Sequence, residues 1–201
     1  MHLQEFLNIW LKFFFLFTPF FALSMFLSMT GEYTEQRRRR LAVMIMLAVA
    51  VLCVGLLYLG NRLFAIFGIT LDAFRVGVGA LLFLSAVSLV QGRKTPPELN
   101  QEADIAVVPL AMPVIVGPAT TGTLLVMGAG LASVPQKVVG CLALLAAVAS
   151  LGLMLLLGTS IERGIGHRGL SILSKLTGIV LAALAAQMIM DGVLGFIAAN
   201  R

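Results

Sequence analysis

The chain has 201 residues, 60% of them hydrophobic and 11% charged, with a mean hydropathy of +1.03. A soluble domain averages about 45–50% apolar and about 25% charged residues, and the long charge-free runs leave a soluble helical bundle without the polar face it needs. The net charge of +5 does not point to nucleic acid, because the basic residues stand between apolar runs, where they act as topology anchors.

A bilayer-spanning helix needs about 20 apolar residues, and six runs qualify, at roughly 10–30, 41–60, 71–91, 105–131, 138–158 and 174–198. The first is too long for a signal-peptide core and is preceded by little positive charge beyond Lys12, so it reads as a retained span. It is interrupted at Phe17-Thr18-Pro19-Phe20-Phe21. Proline removes a helix hydrogen bond and clashes with the preceding turn. A backbone group freed in hydrocarbon costs several kcal/mol unless the protein satisfies it. Arg37, Arg38, Arg39 and Arg40 follow this span.

The second run carries Cys53 and the fifth Cys141, both mid-span, where a thiol is a small apolar filler rather than a disulfide partner or metal ligand. The third opens with Asp72 and Arg75, three apart on one helical face and suited to an interfacial ion pair. Arg93 and Lys94 follow it. The fourth contains Pro109, Pro113 and Pro118 with Gly117, ending in Ala119, Thr120 and Thr121, and reads as a second broken helix inside the protein. Arg163, Arg168 and Lys175 follow the fifth. The sixth carries Gln187 one turn before Asp191, and a packing stripe at Gly178, Ala182 and Ala186. Asp191 is either a partner for Arg75 or a proton carrier, since ionisable groups within spans are functional candidates by default. The scattered methionines read as filler.

Nine of the 14 basic residues fall on the side reached after spans one, three and five. The positive-inside rule then places both termini outside the cytoplasm. Sliding the chain on itself by 98 to 100 residues superposes Thr18-Pro19 on Gly117-Pro118, Leu59-Gly60 on Leu157-Gly158, and Arg75 on Lys175. Three spans per copy is odd, so the second copy enters from the opposite side. The expectation is an all-α integral membrane protein with six transmembrane helices as a 3+3 inverted-topology repeat, helices 1 and 4 broken. It forms a single membrane domain over 1–201, with repeat one at about 1–92 and repeat two at about 105–201.

Both breaks can place a proline at the first position of a half-helix, with Thr18 as an N-cap at the first. The free N–H groups at such a start suit a carboxylate, and the unwound carbonyls before it suit an ammonium. The expected substrate contacts are therefore Thr18, Pro19, Phe20 and Phe21 at the first break and Gly117, Pro118, Ala119, Thr120 and Thr121 at the second, with Thr123 adding a hydroxyl. Asp72, Arg75, Gln187 and Asp191 form the expected coupling or polar network. His2 and His167 lie in a tail and a loop. No metal cluster, phosphate-binding loop or nucleophile elbow is present, so neither enzyme chemistry nor a cofactor or metal is expected.

Pro109-Leu110-Ala111-Met112-Pro113 with Gly117-Pro118, Phe67-Gly68-Ile69-Thr70-Leu71-Asp72-Ala73-Phe74-Arg75, Leu176-Thr177-Gly178-Ile179 and Gln187-Met188-Ile189-Met190-Asp191-Gly192 together resemble the MarC family, also called the neutral amino acid transporter family. The resemblance covers essentially the whole chain. It implies a six-helix bacterial inner-membrane protein and, for some members, transport of small neutral amino acids coupled to an ion gradient. The family's first helix usually reads Asp/Asn-Pro-x-Gly-Asn-x-Pro; here Thr18-Pro19-Phe20-Phe21-Ala22-Leu23-Ser24 has lost that polarity. The expected function is secondary transport of a small-molecule substrate across the lipid bilayer, driven by protons or sodium. A non-transporting scaffold or regulatory protein and a passive channel are the alternatives. Homo-oligomerisation stays open.

Overall fold

The computed structural model describes residues 2–92, 115–131 and 133–199, which form seven helices and no strand. These are α1 (His2–Leu16), α2 (Pro19–Met29), α3 (Glu35–Phe67), α4 (Leu71–Gln91), α5 (Pro118–Gly130), α6 (Val134–Leu156) and α7 (Gly158–Ala199). Pro109 and Pro113, in the first part of the fourth expected span, lie outside the described residues. Among those described, α3, α4, α6 and α7 are each long and apolar enough to cross a bilayer, and α1 and α2, bent by 40° at their junction, are long and apolar enough together.

Local chemistry sets the helix ends. Thr34 and Thr70 cap α3 and α4, their hydroxyls accepting from the N–H groups of Arg37 at 3.4 Å and Ala73 at 3.2 Å. Ser133 and Gln136 form a reciprocal capping box at the start of α6, satisfying two donors that would otherwise lack partners. The connection expected between spans five and six is helical instead. It forms the first part of α7, broken only at Gly166, where φ is 72°, a conformation costly for any side chain.

At the mouth of α3, Arg38 donates to the Thr30 carbonyl at 2.8 Å and Arg39 pairs with Glu35 at 2.6 Å. Arg37 lies over the Tyr33 ring, 4.2 Å from its centroid. The arginine run expected to anchor topology thus also ties α3 to the end of α2.

Lipid is as apolar as leucine, so membrane helices associate through close packing rather than water exclusion. Large side chains such as Leu47, Val51, Leu84, Ile172 and Leu194 are exposed on the outside of the bundle, whereas Phe13, Phe17, Phe26, Leu124, Leu144 and Leu151 are buried within it. Cys53 is buried and both cysteines are free. Trp10 on α1 donates to the Ser150 hydroxyl of α6 at 3.3 Å.

The most extensive helix pairing is α4 with α7. A Cβ on Gly79 would sit 3.1 Å from the Ala185 carbonyl and 3.2 Å from the Ile189 nitrogen. A Cβ on Gly178 would sit 3.0 Å from the Ala86 carbonyl and 3.2 Å from the Val90 nitrogen. Gly79 and Gly178, Ala86 and Ala185, and Val90 and Ile189 all stand at one offset of 99 residues. The contact is therefore reciprocal in the sense of a two-fold interface, where i meets j and j meets i. Its partners run in opposite directions along the two helices, which makes the pair antiparallel.

Candidate functional site

The two breaks differ in detail. At the first, the Thr18 N–H closes a tight turn onto the Phe15 carbonyl at 2.9 Å. Thr18 adopts φ 46°, ψ 57°, the left-handed region, and is the one non-glycine residue with positive φ among those described. Its carbonyl accepts from Ala22 at 2.9 Å and Pro19 opens α2 as expected. The expected side-chain cap is absent, however: Thr18's hydroxyl makes no cap bond. Left-handed φ aims the side chain away from the first turn, whereas capping needs an extended residue. Pro19 is buried, while Thr18, Phe20 and Phe21 are half-buried beside the fully buried Phe17 and Ala22.

At the second break Gly117 is extended, with φ −78° and ψ 179°, and Pro118 opens α5. The Gly117 carbonyl accepts from Thr121 at 2.8 Å. Ile115, Val116, Ala119 and Thr120 are buried, which places this break inside the protein as expected. Thr123 donates back to the Ala119 carbonyl at 2.8 Å, a bond within its own helix. Pro118 and Thr121 line a groove of about 680 Å³ with Phe74, Gly77, Val78 and Leu81 of α4.

A second cavity, of about 310 Å³, is lined by the half-buried Arg75 and the exposed Lys12, Gln187 and Asp191. Four helices each present one face to it: Ile9, Lys12, Phe13 and Leu16 from α1; Arg75 and Leu82 from α4; Thr123, Val126, Met127 and Gly130 from α5; Leu184, Gln187, Met188 and Asp191 from α7. Each set follows the three-, four- and seven-residue spacing of a single helical face. Gly140 of α6 closes one side.

Arg75 is paired with Asp72 at 2.8 Å, as the spacing predicted. Between the two readings of Asp191, the partner role is not taken. Its Oδ1 accepts from the Gln187 amide at 2.8 Å, while Arg75 and Asp191 line one cavity without an ion pair between them. Two glycines of α7 make room for the Asp72–Arg75 pair. A Cβ on Gly195 would fall 2.6 Å from the Asp72 carboxylate, and one on Gly192 would meet the Asp72 carbonyl at 2.7 Å.

Of the expected substrate contacts, Thr123 lines the 310 Å³ cavity, Pro118 and Thr121 line the groove, and the remainder line neither. Of the expected polar network, Arg75, Gln187 and Asp191 line the cavity, with Asp72 joined through Arg75. Lys12 was read only as a topology charge, yet it is one of the residues that line this cavity, at its exposed margin. The available signal was that it is the one ionised side chain between Trp10 and Thr30. No group of His, Cys, Asp and Glu suited to a metal ion occurs among the described residues.

The sequence matches the MarC family integral membrane protein family over residues 3–197. A UPF0056 membrane protein of Aquifex aeolicus is 32% identical over 182 residues, covering 87% of this chain and 85% of the relative. One from Methanocaldococcus jannaschii is 30% identical over 202 residues, covering 97% and 98%. The membrane protein YhcE of Escherichia coli is 28% identical over 189 residues, covering 90% and 87%. No solved structure matches. The whole-length match and the apolar helical bundle give one conclusion: the chain belongs to the MarC family of integral membrane proteins.

Proposed function

We propose that this protein is a secondary transporter of small neutral amino acids or similar amphipathic solutes, driven by a proton or sodium gradient and using no cofactor. The observation that carries this reading is the 310 Å³ cavity, with apolar walls and a few convergent polar groups. That volume lies at the lower end of the range for small-ligand pockets, about 300–1,000 Å³, and suits a small solute.

The reciprocal α4–α7 contact supports a 3+3 inverted repeat, the architecture in which one half rocks against the other around a fixed site. On this reading the membrane is the bacterial inner membrane and both termini lie outside the cytoplasm. The arginine-rich mouth of α3 and relatives in Escherichia coli and Bacillus subtilis support it. A non-transporting scaffold is the second reading, favoured by the apolar packing around the first break.

Uptake of radiolabelled glycine and alanine into proteoliposomes, with and without imposed proton or sodium gradients, is the test. The expected result is saturable flux stimulated by one gradient, reduced severalfold by Asp191→Asn in the cavity lining at unchanged folded yield. Absence of saturable flux for every amino acid tried favours the scaffold, and flux that never saturates favours a channel.

A further inference from the structure

The cavity contains one cation and one carboxylate oxygen that nothing described in the protein neutralises. Arg75 spends its charge on Asp72 at 2.8 Å. Asp191 gives one oxygen to Gln187, and its Oδ2 has no protein partner among the described residues. Lys12 makes no hydrogen bond or ion pair among them. Lys12 stands on the cavity face of α1 and Asp191 on that of α7, and these two helices pack against each other.

A charged side chain within a span costs about 2.5–3.5 kcal/mol on insertion scales, and such residues are usually paired or face a water-filled cavity. Here both face a cavity and neither pairs with the other. Its 310 Å³ equals the liquid volume of roughly ten water molecules at about 30 Å³ each. Much of the remaining described lining is aliphatic or aromatic, including Phe13, Leu16, Leu82 and Leu184, with Thr123 adding a hydroxyl. A ligand that fits this arrangement is small, carries one negative and one positive end, and has an apolar remainder.

We infer that Lys12 and Asp191 are the two poles of a clamp for a free zwitterion, Lys12 taking the ligand carboxylate and Asp191 its ammonium, with the Gln187 amide fixing the Asp191 carboxylate. This rests on the transport reading above and moves ligand recognition from the two breaks to the α1–α7 side of the cavity. Arg75, the third charge of the lining, is held by Asp72, so no further unpaired charge remains among the described lining residues for an acidic or basic side chain, and the preferred ligand is a neutral amino acid with a short aliphatic side chain. Binding neutralises both poles at once, which a ligand with a single charge cannot do.

The test is calorimetric titration of the purified, detergent-solubilised protein with L-alanine, alaninol, propionate and phosphoethanolamine. Alanine is expected to bind saturably, with the two single-charge analogues at least about tenfold weaker, the size of one lost charge-assisted hydrogen bond. Lys12→Met should weaken alanine about tenfold and leave alaninol within about twofold. Asp191→Asn should weaken alanine equally and leave propionate within about twofold. That crossed pattern is one that misfolding cannot produce, and near-normal alanine binding by Lys12→Arg and Asp191→Glu checks the fold independently. If the wild type binds alanine and both charge-removing variants match it, the clamp is overturned and the transport reading stands. Failure of the wild type to bind any neutral amino acid overturns both. Phosphoethanolamine binding more tightly than alanine assigns the cavity to a lipid headgroup and overturns the clamp.

Discussion

The two ends of the α4–α7 contact share a backbone and differ in chemistry. At one end Gly79 meets Ala185 and Ile189; at the other Gly178 meets Ala86 and Val90, with near-equal approach distances. Beyond the first end stand Asp72, Arg75, Gln187 and Asp191, two of them ion-paired and three lining a cavity. Beyond the second, the positions 99 residues away hold the uncharged Ser171, Ser174, Ser88 and Gly92. The symmetric feature is the close approach of two helices, which packing without a hydrophobic driving force requires. The asymmetric feature is the charge, placed where only one half needs it. Packing and chemistry are therefore separable here, and each can be broken without the other.

The largest effect should come from the symmetric feature. Gly79→Leu and Gly178→Leu each force a side chain against the partner backbone at about 3 Å, where relief requires the helices to part. Overpacking typically costs 1–3 kcal/mol and occasionally more; each variant is expected at about 3 kcal/mol, read as lowered thermal stability in detergent. The two losses should be similar. A large loss at one glycine with none at the other would show that the contact is not reciprocal in energy.

The asymmetric end should respond less. Asp72 and Arg75 are about a quarter exposed, at 27% and 28% of their side-chain surface, so solvent weakens the pair only in part. Arg75→Met leaves the Asp72 carboxylate unpaired against Gly195 and is expected to cost about 1–2 kcal/mol. A double-mutant cycle with Asp72→Asn should return a coupling of about 1 kcal/mol. Lys175→Met, one residue beyond the position that corresponds to Arg75 in the other half, should stay within about 0.5 kcal/mol as an exposed site with no partner among the described residues. Equal losses for Arg75→Met and Lys175→Met would remove the distinction between the two ends.

The long apolar helices α3, α4, α6 and α7 were legible because a 20-residue apolar run is a local signal, and so were Asp72–Arg75 and Gln187–Asp191, at three and four residues apart. The Gly79–Gly178 relation was half legible: an offset near 100 residues aligned the halves, but only the fold shows these glycines facing each other's helix. The convergence of Lys12 with Asp191 was not legible. It joins faces of helices from opposite ends of the chain, and a lone lysine in a span reads equally well as a topology charge. The break at Thr18 was legible as a break but not in its geometry. Proline announces an interruption; which backbone conformation bridges it depends on how α1 and α2 pack, which placed Thr18 in a conformation its residue type disfavours.

That last point supports the smallest of the expected effects, and one of opposite sign. The left-handed conformation costs an L-residue roughly 1–2 kcal/mol, and β-branching makes threonine a poor occupant. Glycine adopts it without that penalty but loses about 0.5–1 kcal/mol through unfolded-state freedom. Thr18→Gly should therefore stabilise the protein by about 1 kcal/mol or slightly less, raising its melting temperature. Gly117→Ala should gain little, because Gly117 is extended at φ −78° and stores no such strain. Strain held in a sparsely populated conformation often accompanies function, so flux is the second readout. If Thr18→Gly stabilises the fold and leaves alanine flux intact, the first break serves only to bend the span by 40°. If it stabilises and slows flux, the strain at Thr18 belongs to the transport cycle. Loss of stability on Thr18→Gly would mean that the threonine side chain contributes more through packing than its backbone conformation costs.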